Sequence, residues 1–189
     1  LYISRGNSMN VRIVSGKFGG RTIEAPNTSR THPMSERVRG ALFNSIGTEL
    51  ADAEVLDAFA GTGAVGFEAL SRGAQHITFV EKDRIAQKVL AKNIATLGVE
   101  KTTTLIRASV SSWCDTIEHK GFDIIFADPP YHDPQFSTVS RLFGLLKPGG
   151  LMILSHPGRG EEPTKPGVVV VDNRSYGNAH LTFYRREDA

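Results

Sequence analysis

From Glu54 to Ser155 the sequence alternates short apolar runs with stretches of helical periodicity, and this rhythm leaves few architectures open. Runs at 54–59, 76–81, 103–107, 123–127 and 150–155 are rich in Val, Ile, Leu and Phe and predict strands. Helical patterns lie between them at 64–72, stopped by Gly73, at 83–97, stopped by Gly98, and at 137–146, with Lys147-Pro-Gly-Gly150 as the break. In the second of these, Ala86, Leu90, Ile94 and Leu97 make one buried face. Strands joined through helices pair in parallel, so the expected fold is α/β, a sheet wound with helices on both faces. The end of the chain departs from the rhythm. Val168–Val171 and Ala179–Tyr184 are strand-like runs separated only by 172–178, too short a link for a helical crossover, so this last pair is expected to be antiparallel.

The 189 residues, 40% hydrophobic, suffice for one substantial core. Ahead of the alternating region, 11–25 reads as a β-hairpin around a Gly16–Gly20 turn, and Ser35–Leu50 as a helix with Val38, Ala41, Leu42, Ser45 and Ile46 facing inward. Residues 1–8 show no periodicity and are expected to be a tag remnant or leader. The chain therefore divides into that leader, an N-terminal extension at 9–50 and a main domain at 51–189. Charge is uneven: residues 1–40 hold seven basic side chains against two acidic ones, although the whole chain carries only +2. Arg12, Lys17, Arg21, Arg37 and Arg39 make the extension suited to a polyanion such as RNA, the competing reading being a solvated basic hairpin with no partner. The lone Cys114 excludes an internal disulfide framework and suits a reducing compartment, so the cytoplasm is expected. No apolar run approaches the roughly 18 residues that span a bilayer, so membrane partners are not expected.

Asp57-Ala-Phe-Ala-Gly61-Thr-Gly63-Ala-Val-Gly66 lies where the strand at 54–59 feeds the next helix, and Glu81 ends the following strand. The same letters fit a dinucleotide loop, GxGxxG with a downstream acid. Chemistry separates the two readings. A dinucleotide loop holds a diphosphate on a helix N-terminus, whereas Asp57, four residues ahead of Gly61, would repel one. That carboxylate instead attracts the ammonium end of a methionine moiety, directly or through water. Gly61 and Gly63 allow close backbone approach, and Glu81 suits the paired hydroxyls of a ribose. An antiparallel final strand is also the shape of Rossmann-like methyltransferases more than of nicotinamide dehydrogenases. The expected cofactor is S-adenosylmethionine, leaving as S-adenosylhomocysteine, held by Asp57, Phe59, Gly61, Gly63, Glu81 and Lys82. For the adenine end, Arg107-Ala108-Ser109 offers only Ser109, and the nearby Trp113 and Cys114 are read as packing residues.

Asp128-Pro129-Pro130-Tyr131 follows the strand FDIIFA, at the sheet edge where α/β proteins place ligands. Two prolines fix φ, and the first holds Asp128 extended, so the loop's polar groups are aimed in advance. An exocyclic base amine is a poor nucleophile because its lone pair is delocalised into the ring. Acceptors meeting its two N–H bonds, the Asp128 carboxylate and the Pro129 carbonyl, favour a pyramidal nitrogen and stabilise its developing positive charge. Tyr131 is placed to stack on a base drawn out of its helix. Transfer of this kind calls for no metal, and six scattered histidines form no close pair.

Together these residues resemble the amino-methyltransferases with a [D/N/S]-P-P-[Y/F] loop, and within them the RsmD-type 16S ribosomal RNA guanine-N2 methyltransferases. The resemblance runs from R-I-V-S-G-K-F-G-G-R through E-R-V-R-G-A-L-F-N-S-I, DAFAGTGAVGFEALSRGA, FVEKD and ADPPY to a closing S-Y-G. It implies a Rossmann-like fold with a seven-stranded, mostly parallel sheet and an antiparallel last strand, methylation of guanine N2 in 16S ribosomal RNA of the small subunit, and RNA contacts from the hairpin and entry helix. A monomer is expected. The chain departs from the family pattern at His32-Pro33-Met34-Ser35, at Gly40 where Glu is usual, and at Ala108, where a polar side chain near adenine is common. Three rivals stay open on the residues alone. One is an adenine-N6 or cytosine-N4 methyltransferase of DNA, for which little chain is left to read sequence. The others are a nicotinamide-dependent oxidoreductase using Gly61, Gly63 and Gly66, and a non-catalytic RNA-binding assembly factor.

Overall fold

The computed structural model describes residues 9–25, 34–118, 121–158 and 162–187; the expected leader at 1–8 and the departures at His32 and Pro33 lie outside them. A hairpin of β1 (Met9–Arg12) and β2 (Thr22–Ala25) comes first, then α1 (Glu36–Ile46). The main sheet follows, with β3 (Glu54–Ala58), α2 (Ala64–Ser71), β4 (His76–Val80), α3 (Arg84–Leu97), β5 (Thr103–Ile106), α4 (Val110–Thr116), β6 (Phe122–Ala127), α5 (Phe136–Leu142), β7 (Leu146–His156), β8 (Val168–Tyr176) and β9 (Ala179–Arg186). Its strand order is β5-β4-β3-β6-β7-β9-β8. All neighbours up to β7 pair in parallel, and β9 runs antiparallel to both β7 and β8, as the short final connection requires. From β3 the chain winds outward to β4 and β5, then returns to add β6 and β7 on the other side. That reversal opens a crevice at the carboxyl ends of β3 and β6, where ligands of such sheets bind.

The central strands are apolar on both faces because both are covered. Val55, Ile77, Phe79, Ile124 and Phe126 pack with α1, α2, α3 and the hairpin, while Leu56, Val80, Ile125 and Met152 pack with α4 and α5. Ser35 caps α1 through the Val38 N–H and Asp83 caps α3 through Ala86, which ends at Gly98 in the left-handed conformation.

The hairpin belongs to this core. Val11, Ile13, Phe18, Ile23 and Ala25 are buried against the sheet's first layer. Its turn is pinned to the carboxyl end of α2: Lys17 N–H donates to the Ser71 carbonyl at 2.8 Å and Phe18 N–H to the Ser71 hydroxyl at 2.8 Å. At Gly16, φ is +88° and an added Cβ would lie 2.0 Å from the Ser71 carbonyl oxygen, so only glycine passes there.

Several boundaries differ from the sequence reading; β8, for one, continues to Tyr176 through most of the link expected at 172–178. The entry helix ends at Ile46 and closes in a single 3-10 turn, Gly47–Leu50; its inward face carries Arg39 and Phe43, with Ala41 and Ser45 only half-buried. The helix expected at 137–146 is α5 plus a 3-10 turn, Phe143–Leu145. Lys147-Pro-Gly-Gly150 does not separate helix from strand. It bulges within β7, because Phe122 pairs with Leu146 and Ile124 with Leu151, leaving four residues unpaired where Pro148 has no N–H to give.

Candidate active site

The glycine loop takes its shape from three residues with positive φ, Phe59 (58°), Gly61 (56°) and Gly63 (81°), between β3 and α2. Two carboxylates hold it. Asp57, buried near the end of β3, accepts the Gly66 N–H at 3.0 Å. Glu81, just beyond β4, accepts the Gly61 N–H on one oxygen at 2.7 Å and the Asp83 N–H on the other at 2.9 Å. Each oxygen retains a lone pair, so a ribose diol can still be met there. Burial pushes the Asp57 carboxyl well above the usual carboxylate range; the Gly66 N–H opposes this, and the charges of Asp128 and Glu81 add to it.

Several of the expected cofactor residues also have roles in the fold itself. At Gly63 an added Cβ would lie 2.5 Å from Leu90 Cδ2 and 2.6 Å from Phe67 Cε2, so the close approach this glycine permits is to core side chains. Gly66 is equally constrained, with Phe79 Cε1 at 2.3 Å. Ser109 is the N-cap of α4, accepting the Ser112 N–H at 3.1 Å and donating to the Ser112 hydroxyl at 2.9 Å. Lys82 is exposed beside Glu81, while Trp113 is buried and Cys114 half-buried, as packing residues would be.

Across the crevice, Asp128 follows β6 directly, and the register pairs Ala58 of β3 with Ala127 of β6. Asp57 and Asp128 therefore line one cavity, together with Phe59, Ser155 at the carboxyl end of β7, and Met34 and Leu42 from the entry helix region. Burial raises the Asp128 carboxyl to about 6, against the pull of the Ser155 hydroxyl. Pro129 is buried, the Pro130 carbonyl accepts the Asp133 N–H at 2.9 Å, and the Tyr131 hydroxyl meets Ser155 Oγ at 3.1 Å. Tyr131 leaves 40% of its surface open to solvent. Among the described residues no group of His, Cys, Asp and Glu could hold a metal ion.

The five basic residues separate. Arg39 is removed from the RNA-facing set, because its side chain is 1% exposed and each of its three nitrogens bonds within the protein. Its guanidinium donates to Glu68 Oε1 at 3.1 Å, to the Met34 carbonyl at 2.9 Å and to the Arg12 carbonyl. Arg12 is exposed but forks onto Glu36 at 3.1 and 2.8 Å. Arg37 is exposed on α1. Lys17 and Arg21 are exposed near the Phe18 ring, 5.5 and 5.8 Å from its centroid, and Arg21 also donates to the Thr96 carbonyl. Both sit by the carboxyl ends of α2 and α3. The eight residues of α2 place them about 12 Å or more from the glycine loop at its other end.

Two residues absent from the sequence reading organise these parts. Glu68, in the middle of the wholly buried α2, accepts Val14 N–H (2.8 Å), Ser15 N–H (3.1 Å), Arg39 Nε (3.1 Å) and Arg72 Nε (3.0 Å). An acid within the apolar stretch AVGFEALS is the signal that could have found it. Ser155 closes the apolar run LMILS and carries no comparable mark.

Comparison with known proteins agrees with this geometry. A family model described as conserved hypothetical protein 95 matches residues 11–185. The chain is 31% identical over 182 residues to "Putative rRNA methyltransferase YlbH" of Bacillus subtilis, covering 93% of this chain and 99% of that one. It is 37% identical over 138 residues to "Ribosomal RNA small subunit methyltransferase D" of Haemophilus influenzae, covering 72% and 70% respectively. The solved "Putative methyltransferase yhhF from Escherichia coli" superposes with a TM-score of 0.84 at 30% identity, over 96% of this chain and 100% of that one.

Proposed function

Since the chain belongs to the conserved hypothetical protein 95 family, that of the RsmD-type small-subunit ribosomal RNA methyltransferases, we propose that it methylates the exocyclic N2 amine of a guanine in 16S ribosomal RNA, using S-adenosylmethionine. The observation that carries this reading is the facing of two loops across one crevice: Asp57 and Glu81 around the glycine loop, and Asp128 on ADPPY opposite them. The donor set fits this cofactor. A buried acid and a second carboxylate complement an ammonium group and a ribose diol, and both would oppose the diphosphate of a nicotinamide dinucleotide.

S-adenosylmethionine supplies an electrophilic methyl group on a sulfonium. The protein's part is to hold and polarise the amine. Asp128 and the Pro129 carbonyl accept its two N–H bonds, and Tyr131, half open to solvent, offers a ring to the base. Asp57, Phe59, Gly61, Gly63, Glu81, Lys82 and, at the adenine end, Ser109 bind the cofactor, and Asp57 meets its ammonium. No covalent enzyme intermediate is needed, so positioning and electrostatics account for most of the rate.

The substrate's size follows from the spacing of the basic residues. Lys17 and Arg21 lie about one length of α2 from the glycine loop, which only an extended polyanion could reach while presenting a base to Asp128. The segment at 9–50 therefore serves both as a wall of the cavity, through Met34 and Leu42, and as an outer phosphate contact, through Lys17, Arg21 and Arg37. The enzyme acts as a monomer in the cytoplasm, on the small subunit or its assembly intermediate.

The test is to incubate labelled S-adenosylmethionine with deproteinised 16S RNA, small subunits and duplex DNA, then identify the methylated nucleoside. N2-methylguanosine from either RNA form is expected. Label in adenine or cytosine of DNA would transfer the chain to the other amine-methylating class, and no label in any arm would leave a binding protein.

A further inference from the structure

The charge on α3 is one-sided. Its 14 residues, RIAQKVLAKNIATL, hold three cations, Arg84, Lys88 and Lys92, and no acid. A spacing of four residues puts the three in one row along the helix, and all are exposed. For the helix itself this placement is unfavourable twice over. Like charges four residues apart repel, and Arg84 occupies the first turn, where the helix dipole favours an anion. Asp83, the N-cap before it, already accepts the Ala86 N–H at 2.9 Å. Among the described residues only Lys92 of the three is ion-paired, to Glu24 of β2 at 2.8 Å, and that pair is open to solvent, so it is weak and exchangeable.

Both ends of the row meet parts of the molecule with a function in view. At its start, the Asp83 N–H bonds one oxygen of Glu81 while the other oxygen holds Gly61, so Arg84 begins the row at the edge of the cofactor loop, two residues after exposed Lys82. At its end, Arg21 of the hairpin donates to the Thr96 carbonyl at 3.1 Å. Between them, buried Asn93 ties the hairpin to the helix. It accepts the Glu24 N–H and donates to the Glu24 carbonyl, both at 2.9 Å. Helix and hairpin therefore present one surface. From Arg84 to Thr96 it runs about 18 Å, with the three cations about 6 Å apart along the axis.

We propose that the row Arg84, Lys88 and Lys92 is a phosphate-binding track, along which the RNA strand runs from the crevice to the hairpin turn at Lys17 and Arg21. The inference rests on the functional reading above and gives its substrate a path. A base presented to Asp128 leaves its own backbone at the mouth of the crevice, and only nucleotides further along the strand reach Lys17 and Arg21. The exposed face of α3 joins the two places. A polyanion also reverses both unfavourable features of the helix, because phosphates bound along the row separate cations that otherwise repel and place negative charge by the first turn. The counterions they release add to the attraction. A lone nucleotide would engage one of these side chains; three in line suit a chain of phosphates.

The test is binding of deproteinised 16S RNA and of small subunits against salt concentration, for wild type and for the triple variant Arg84→Gln, Lys88→Gln and Lys92→Gln. Glutamine removes the charge and keeps the helix propensity. Three lost phosphate contacts should lower the slope of log K against log salt by roughly two to three units and raise the KM for RNA on the order of tenfold. The kcat at saturating RNA and the affinity for S-adenosylhomocysteine should stay as in wild type. A control with the same change in net charge, Lys147→Gln, Lys165→Gln and Arg174→Gln, neutralises exposed cations at the β7 and β8 flank of the sheet and should leave the slope in place. An unchanged slope in the folded α3 variant makes the row a solvated face, and an equal fall in the control makes the attraction one of overall charge; either result overturns the proposal. If the triple variant does not fold, Arg84→Gln with Lys88→Gln carries the same comparison, with an expected fall of roughly one to two units. A wild type that binds RNA with this response but methylates none would defeat the functional reading and leave the track standing. One that binds neither RNA form overturns the track.

Discussion

Replacing Glu68 by Gln changes one atom in the most densely bonded side chain described and should cost the protein a large part of its stability. The carboxylate is fully buried and accepts four N–H groups, from Val14, Ser15, Arg39 and Arg72. An amide of the same shape keeps one acceptor oxygen and turns an NH2 toward donors that cannot receive it. The Arg39 guanidinium then remains in the core without a counter-charge, at 1% exposure. Stranding one member of a buried pair typically costs about 3–5 kcal/mol. Arg72 is partly exposed and already reaches Asn44, so its loss adds little. For a chain of this size about 3–5 kcal/mol corresponds to a fall in melting temperature of roughly 6–20 °C. Urea unfolding of wild type, Glu68→Gln, Arg39→Met and the double variant measures it. Arg39→Met removes the buried charge along with its bonds and leaves Glu68 three donors, so it should cost about 1–3 kcal/mol. The double variant should cost less than the sum by at least about 1 kcal/mol, because the two side chains share one interaction. Below its melting transition, Arg39→Met should bind RNA with the wild-type salt dependence. A Glu68→Gln variant within about 1 kcal/mol of wild type at an unchanged denaturant slope would refute the hub, on the scale expected of an ordinary surface change. A reduced salt slope in stable Arg39→Met would return that residue to the RNA surface.

Asp128→Ala should bind S-adenosylhomocysteine nearly as wild type by calorimetry while turnover falls on the order of a hundredfold, the scale of losing a transition-state acceptor. Full activity would remove Asp128 from the chemistry. Glu81→Ala should weaken S-adenosylmethionine binding by about 1.5–3 kcal/mol, and because Glu81 also holds the Gly61 and Asp83 N–H groups, hydrogen exchange of those two amides should quicken. Unchanged affinity in the folded variant would count against the ribose contact. Lys17→Ala with Arg21→Ala should reduce the salt slope of RNA binding by roughly one to two units and raise the KM for RNA, leaving S-adenosylhomocysteine affinity untouched. If RNA affinity merely follows the folded fraction, the hairpin is a structural cover and the phosphate contacts lie elsewhere.

The alternation of apolar runs from Glu54 to Ser155, with glycines at the helix ends, was enough to define the parallel sheet, because helical and extended periods bury different residues and cannot be exchanged. The short stretch read as a link at 172–178, of which only 177–178 lies outside the strands, likewise dictated an antiparallel final pair, since no crossover fits into it. Both candidate loops were legible for a related reason. Each combines unusual backbone chemistry, glycine in one and paired proline in the other, with an acid at the end of an apolar strand, and such combinations are local.

Side-chain roles that depend on contacts across the fold were not legible. Arg37 and Arg39 are two positions apart on one helix and look equivalent in sequence, yet one faces solvent and the other is buried. The difference comes from Glu68, 29 residues further on, which supplies the charge that lets a guanidinium enter the core. Gly63 and Gly66 carry the spacing of cofactor contacts, and only the positions of Leu90, Phe67 and Phe79 show that core packing requires them. Ser155 is 24 residues from Tyr131 and becomes its partner because β6 and β7 are adjacent and parallel, with Ala127 paired to Leu154. Local periodicity determined which segments are strands and helices and where the loops fall. Which charges are buried, which glycines are compressed and which hydroxyl meets Tyr131 was decided only when the sheet brought distant residues within a hydrogen bond of one another.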